Sequence, residues 1–258
     1  ELLSANEIIM KPPALFTLTQ FSLPTCICLD VGYDITHIVP IQENYVCSPA
    51  VLRSFAAGSA LDLFTAVDQF QLHSVDTWEQ MEKARICKEE KAYCSLDINS
   101  ALDKNHNSYP FTCGELLFQP KLFEAASPED VQTPDERIQT LMEELPIAQF
   151  ISTSIQNCDM NCRGKLWGNI IVTGGTSKMK GFRERLQAEL EKLAPPMIHP
   201  HLIFPDDPSL SAWCGAKLCI DFSKTETWLK KEEYEEDPDS VFQKFIQYGY
   251  VDPEKSSK

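Results

Sequence analysis

Apolar and polar positions change period several times along the chain, and each change marks an element. Residues 25–30 (T-C-I-C-L-D) are an apolar run closed by a carboxylate, the pattern of a buried strand. Residues 35–41 (I-T-H-I-V-P-I) read as a second strand, and Val31, Gly32, Tyr33 and Asp34 between them as a tight turn, so the pair predicts a hairpin. After Gly58-Ser59 the period lengthens. Ala60, Leu63, Phe64 and Val67 fall at i, i+3, i+4 and i+7, which predicts a helix capped by Ser59 or Gly58. Residues 78–94 are charged and predict a helix carrying Lys88 and Glu89; residues 103–112 predict a polar loop. Residues 125–137 predict a loop with helix starts at Ser127-Pro128 and Thr133-Pro134, where Pro suits the first helical position. The clearest unit follows. Residues 167–173 (W-G-N-I-I-V-T) predict a strand, Gly174-Gly175-Thr176 a turn, and residues 181–193 a helix with Phe182, Leu186, Leu190 and Leu193 on one face. Pro195-Pro196 stops that helix. Residues 201–204 predict a short strand, residues 212–216 the start of an apolar helix or strand, residues 229–238 an exposed charged segment, and residues 242–250 a last helix. Residues 1–24 are mixed, with Pro12 and Pro13 adjacent.

Composition narrows the function. The 258 residues suit one large or two modest domains. With 23 basic and 38 acidic side chains the formal charge is −15, which excludes a nucleic-acid reader that works by neutralising phosphates. No apolar run reaches the roughly 18–20 residues of a membrane helix. The chain starts at Glu1 without a signal-peptide pattern and reads as a piece of a longer one. Ten cysteines and five histidines form no zinc-ligand spacing; Cys158 and Cys162 are the nearest to it, four apart on one helix face if that segment is helical. Free thiols suit a reducing compartment, and Cys26, Cys28, Cys214 and Cys219 sit in apolar stretches as small hydrophobes.

Two places point at phosphate. In the turn after Asp30, Gly32 leaves backbone N–H groups free to face an anion, and Asp30 could hold magnesium through its waters. The Gly174-Gly175 pair between strand and helix allows close backbone approach to a ligand. Neither a P-loop nor a dinucleotide fingerprint is present. His37 reads either as a half-buried strand histidine with a satisfied partner or as a group orienting water at a phosphate. Lys88-Glu89 reads as a solvated helix face, and Trp213 and Phe204 as core.

Taken together the motifs resemble the actin and actin-related protein superfamily. L-D-V-G-Y-D-I-T-H-I-V-P-I (29–41) resembles its second phosphate loop. F-A-A-G-S-A-L (55–61), I-C-K-E-E-K-A-Y-C (86–94), L-L-F-Q-P-K-L-F (116–123), N-I-I-V-T-G-G-T-S-K-M-K-G-F (169–182), S-A-W-C-G-A (211–216) and E-E-Y-E-E (232–236) follow in that family's order. The resemblance implies an α/β, actin-like (RNase H-like) fold, of which this chain is the C-terminal portion with a mixed sheet flanked by helices. Residues 25–57 and 147–208 would be the inner subdomain of the second half and 58–146 its outer insertion. Residues 1–24 and 209–258 would be a remnant of the first half, whose remainder would precede Glu1. That remnant would expose apolar faces, so the 258-residue piece alone is expected to aggregate or to depend on a partner.

Carried over residue by residue, the resemblance implies that Asp30 and Gly32 sit at the phosphates, with magnesium reached from Asp30 through water. His37 would orient the attacking water. Gly58 would lie near the ribose, Lys88 and Glu89 near adenine and ribose, and Gly174, Gly175 and Thr176 over adenosine and phosphate. Four departures follow the same alignment. Tyr33-Asp34 replaces an acidic residue and Gly, Pro13 falls where a water-positioning Gln is expected, Ser209 where a Lys is expected near the adenine, and Ser59-Ala60 replaces Arg-Asp. ATP or ADP with magnesium is the implied cofactor, held rather than turned over. P-x-x-P-x-x-x-A-W-x-G-x-K-L (205–218) and G-F-R-x-R look closest to the nuclear actin-related protein 6 type. That type implies a non-catalytic structural subunit of a nuclear chromatin-remodelling, histone-variant-exchange complex. Its partners would be protein subunits, with no direct nucleic-acid or membrane binding and no self-polymerisation. The alternatives are a divergent cytoplasmic, cytoskeletal actin-like protein of a filament, motor-adaptor or ciliary assembly, and an active ATPase of the same fold.

Overall fold

The computed structural model describes residues 7–70, 77–96, 109–126, 136–221 and 228–237. Strand β1 (Glu7–Ile8) leads into α1 (Pro13–Leu18), which starts at a proline that has no N–H to lose there. Strands β2 (Cys26–Val31) and β3 (Thr36–Gln42) then form the hairpin predicted from their pattern, in a register that sets Asp30 opposite His37. Short strands β4 (Tyr45–Val46) and β5 (Leu52–Ser54) both pair with β3.

A helical excursion follows: α2 (Gly58–Phe70), α3 (Trp78–Lys91), α4 (Tyr109–Glu115), a 3-10 segment (Pro120–Ala126) and α5 (Glu136–Glu143). Helix α3 opens with a capping box in which Thr77 and Gln80 satisfy each other's backbone N–H. The chain returns through α6 (Ile147–Gln156) and α7 (Met160–Gly168) to β6 (Ile170–Thr173). Then come α8 (Phe182–Leu193), β7 (Leu202–Ile203), α9 (Ser211–Asp221), β8 (Leu229–Lys230) and α10 (Lys231–Glu236).

The main sheet has the order β4-β3-β2-β6-β7, with β5 on β3; β2–β6 and β6–β7 are parallel and the other pairs antiparallel. Side-chain alternation divides the core in two. Ile27, Leu29, Val31, Ile38, Ile170 and Val172 face a large core shared with the helical excursion, α6, α7 and α8. Cys26, Cys28, Ile41 and Ile171 face a smaller one capped by α1. Asp30, His37 and Thr173 lie on this second face by the same alternation. Phe182, Leu186 and Leu190 of α8 are fully buried, each contributing about 1.5–3 kcal/mol by leaving water.

Helices α1 and α9 pack against each other over the second face. Thr19 Oγ1 donates to Gly215 O at 2.9 Å and Gln20 Nε2 to Ser211 O at 2.6 Å. A Cβ on Gly215 would strike the Phe16 carbonyl, so this crossing is backbone-close. β1 and β8 form a separate two-stranded ribbon. Among the described residues no helix is long and apolar enough to cross a membrane.

Several expectations change. Trp167 and Gly168 belong to α7, because the strand pairing with β2 begins only at Ile170. Residues 109–112 are helical, not loop; residues 103–108, Pro128, Pro134 and residues 242–250 lie outside the described residues. Cys158 lies between α6 and α7 while Cys162 is on α7, so they share no helix face. Trp213 is 64% exposed on α9 rather than core, since the helix buries the face that holds Ser211, Gly215 and Cys219.

Candidate functional site

The sequence-derived residues gather at the C-terminal end of β2 and β6 in two adjoining groups. Asp30 centres one of them. It ends β2, pairs with Thr173 across the parallel ladder, and lies on a cavity of about 60 Å³ lined also by Pro13, Ala14, Thr17, Cys28, Gly174, Pro208, Ser209 and Ala212. Burial pushes the Asp30 carboxyl above its usual range, and the neighbouring His37 and the Thr173 hydroxyl only partly offset this. Gly174 closes against it with φ +89°. A Cβ there would collide with the Val31 carbonyl and come within 2.6 Å of Asp30 Oδ1. Its N–H is held by Pro208 O at 2.9 Å, which fixes the α9 approach to the β6 end.

His37 faces Asp30 across one ladder and Arg53 across the other. Its Nε2 is buried without a hydrogen-bond partner among the described residues, so the expectation of a satisfied strand histidine is corrected. Burial, then Arg53, lowers its pKa below the usual histidine value, while Asp30 opposes. These effects favour the neutral imidazole, and His37 does not line the cavity.

The second group is built on backbone cross-links. Gly58 N donates to Gly32 O at 3.1 Å, Ser59 N to Tyr33 O at 2.6 Å, and Thr176 Oγ1 to Gly32 O at 2.9 Å. A Cβ on Gly58 would approach Thr176 Oγ1 to 2.9 Å and Gly32 O to 3.2 Å, so three distant segments meet at a glycine. Gly32 N is itself taken by Ile35 O at 3.3 Å, which corrects the expectation that this amide is free for an anion. Gly175 is exposed on the 3-10 turn Gly175–Lys178, with only Ser209 Cβ near its Cβ direction, at 3.9 Å.

Lys88 departs from the solvated face predicted for it. Only 7% of it is exposed. Its Nζ donates to Gly58 O at 3.1 Å and stands 2.7 Å from Asp62 Oδ1. Asp62 is fully buried, and its carboxylate is held by the Lys88 ammonium and the Tyr33 hydroxyl. Burial raises the Asp62 pKa and Lys88 opposes the rise. Tyr33 covers the pair, with Lys88 Nζ 5.9 Å from its ring centroid. Burial and the adjacent Asp62 raise the Tyr33 hydroxyl. Glu89 stays exposed and pairs with Arg85 at 2.8 Å. Asp62 and Tyr33 were missed as members of the site. The signal for Asp62 was its place four residues after Gly58, one helical turn above it inside an otherwise apolar stretch.

Among the described residues no three or more His, Cys, Asp or Glu side chains cluster as a metal site. Asp30 with the Thr173, Thr17 and Ser209 hydroxyls is instead a sparse oxygen set, suited to magnesium that keeps its waters and takes its other ligands from phosphate. Of the glycine amides at this end of the sheet, those of Gly32 and Gly174 are already engaged by backbone carbonyls. Ser209 is already engaged by Asp207 at 2.6 Å, and Lys178 ties to the same carboxylate at 3.3 Å.

A family model described as Actin matches residues 104–246, more than half of the chain. The matched stretch holds Gly174, Gly175, Thr176 and α9; Asp30, Gly32, His37, Gly58 and Lys88 precede it.

Proposed function

This chain belongs to the actin family and has its α/β actin-like fold, a mixed sheet flanked by helices; from that premise we propose that it is a non-catalytic structural subunit of a multiprotein assembly. The reading rests chiefly on the wall opposite Asp30. Pro13, Ala14, Pro208 and Ala212 offer the cavity no side-chain donor or acceptor, and among the described residues its polar side chains besides Asp30 are the Thr17, Thr173 and Ser209 hydroxyls and the Cys28 thiol, with no side-chain amide, second carboxylate or cation. Hydrolysis by a positioned water needs a group within hydrogen-bond reach of that water, and its loss costs orders of magnitude in rate. A cavity of about 60 Å³ admits a few waters. Enclosed sites for small molecules run to roughly 300–1,000 Å³. A nucleotide would therefore lie over this surface as a wall, with other protein completing the enclosure.

In this reading Asp30 holds magnesium through water, Gly32, Gly174, Gly175 and Thr176 run beside the phosphates and adenosine, and Gly58, Lys88 and Glu89 flank the ribose and base. Bound Mg-ADP or Mg-ATP would tie these segments together. The assembly is, in our reading, a nuclear chromatin remodeller of the histone-variant-exchange kind. The support is the string 205–218 and its likeness to the nuclear actin-related protein 6 type. Affinity purification of the full-length native product tests this. Remodeller subunits are expected in stoichiometric yield. Recovery of dynein, tubulin or actin filaments instead would move the chain to the cytoskeletal assemblies and overturn the nuclear reading.

A further inference from the structure

We propose that Lys178 takes the purine ring of the nucleotide, its ammonium donating to a ring nitrogen across the rim of the cavity; this rests on the nucleotide reading above. Three observations carry it. The first is position. Ser209 lines the cavity together with Asp30, and Lys178 Nζ stands 3.5 Å from Ser209 Oγ, so the ammonium lies at the rim without being part of the wall. The second is spare capacity. An ammonium has three donors. One points to Asp207 Oδ1 at 3.3 Å and one towards Ser209; both contacts are long, and the Lys178 side chain is 52% exposed. An ion pair of this kind contributes little, so re-aiming it costs little. Asp207 does not depend on it. Ser209 donates to the same oxygen from its hydroxyl at 2.6 Å and its amide at 3.0 Å, and these two bonds do most to hold the Asp207 carboxyl below its usual range. The third is the floor beside the ammonium. Gly174 N is fixed on Pro208 O at 2.9 Å, and Gly175 presents backbone there, with only Ser209 Cβ near its Cβ direction, at 3.9 Å.

The donor set selects the base. Asp30 takes the magnesium and phosphate end in this reading, which leaves the Ser209 end of the rim to the adenosine. Lysine is a donor only, and a purine offers acceptor nitrogens on its ring edge. The Ser209 hydroxyl hydrogen is spent on Asp207, so this serine does not donate to the base in the place of Lys178. A flat ring can lie on glycine backbone with no side chain to clear.

The test is calorimetry on the full-length native protein with two probes, Mg-ADP and Mg-pyrophosphate. Lys178→Met is expected to bind Mg-ADP about tenfold more weakly, the worth of one charge-assisted hydrogen bond, and to bind Mg-pyrophosphate as wild type does. Lys178→Arg keeps a donor cation and should recover most of the loss. Asp207→Asn separates contact from scaffold. It removes the charge that holds Lys178 aside, so Mg-ADP affinity is expected at or above the wild-type value. A loss there matching that of Lys178→Met would make Lys178 a strap between two turns and overturn the proposal. Unchanged Mg-ADP affinity in Lys178→Met overturns it as well. Equal losses for the two probes would move Lys178 to the phosphates and overturn the base contact. Wild type that binds no Mg-ADP overturns the nucleotide reading itself, and this proposal with it.

Discussion

Gly174 and Asp30 show how single side chains, or their absence, shape the cleft. Gly174→Ala combines a left-handed backbone with a collision against Val31 O, and is expected to cost about 3 kcal/mol or more. Gly164 is a fitting contrast. It is exposed within α7 with open space around it, and Gly164→Ala is expected to stabilise by roughly 0.5–1 kcal/mol. Urea unfolding of both variants checks the pair. Asp30 gives a pH test. Its folded pKa lies above the unfolded value, so the folded state binds more protons and wild-type stability falls as pH rises from the ordinary carboxylate range through the raised pKa. Asp30→Asn is spared that penalty. Its melting temperature is expected above wild type at pH 7, with the advantage shrinking below about pH 4. An Asn variant less stable than wild type at pH 7 would show that the charge itself is wanted there. At this scale the sequence was readable where backbone geometry demands a residue type, as at Gly174. It was not readable where burial depends on a partner far along the chain. Lys88 looks solvated within its own helix, and only the packing of α3 on α2 brings Asp62 beneath it.

Buried ion pairs supplement the apolar core between elements, and one of them joins α4 to α8. Arg185 is 3% exposed, and its Nε donates to Glu115 Oε1 at 3.1 Å and its Nη2 to Oε2 at 3.2 Å. It also pairs with Glu189 one turn on, and its guanidinium lies 4.8 Å from the Phe118 ring centroid. Glu115→Ala leaves much of that charge buried without its partner and is expected to cost about 3–5 kcal/mol. Hydrogen exchange should localise the loss to residues 109–126 and α8. Uniform destabilisation instead would mean that the excursion and the sheet unfold as one unit. The exposed Arg85–Glu89 pair on α3 is expected to matter little by comparison. Element identity was legible from period in β2, β3, α2 and α8. It failed at Trp167, where an apolar residue at a helix end was read into the following strand. Helix α6 carried a legible stripe, Ile147, Phe150, Ile151, Ser154 and Ile155, that went unread. Boundaries failed where the deciding force is pairing with another element rather than local pattern.

For the whole molecule the fold puts two polar groups side by side at the C-terminal ends of the central strands β2 and β6 and, among the described residues, leaves the second face thinly covered. Phe21, Leu23, Val39, Val46 and Ile203 are only partly buried beside α1. Leu210 and Trp213, next in sequence to the cavity-lining Ser209 and Ala212, stand exposed at 50% and 64%. Such a surface suits a chain whose role is exercised within an assembly. The family is legible in the sequence as an ordered set of motifs, while the state of the site is not. Which loop amides are free, which carboxylate holds Lys88 and what faces Asp30 all depend on segments far apart in the chain. The central claim is that the chain holds this site without running chemistry through it. Steady-state phosphate release from Mg-ATP by the full-length native protein, measured beside His37→Ala, tests that most directly. Release at the buffer background, equal in the two proteins, is the expected result. Turnover well above background that collapses in His37→Ala would contradict it and make the chain an ATPase.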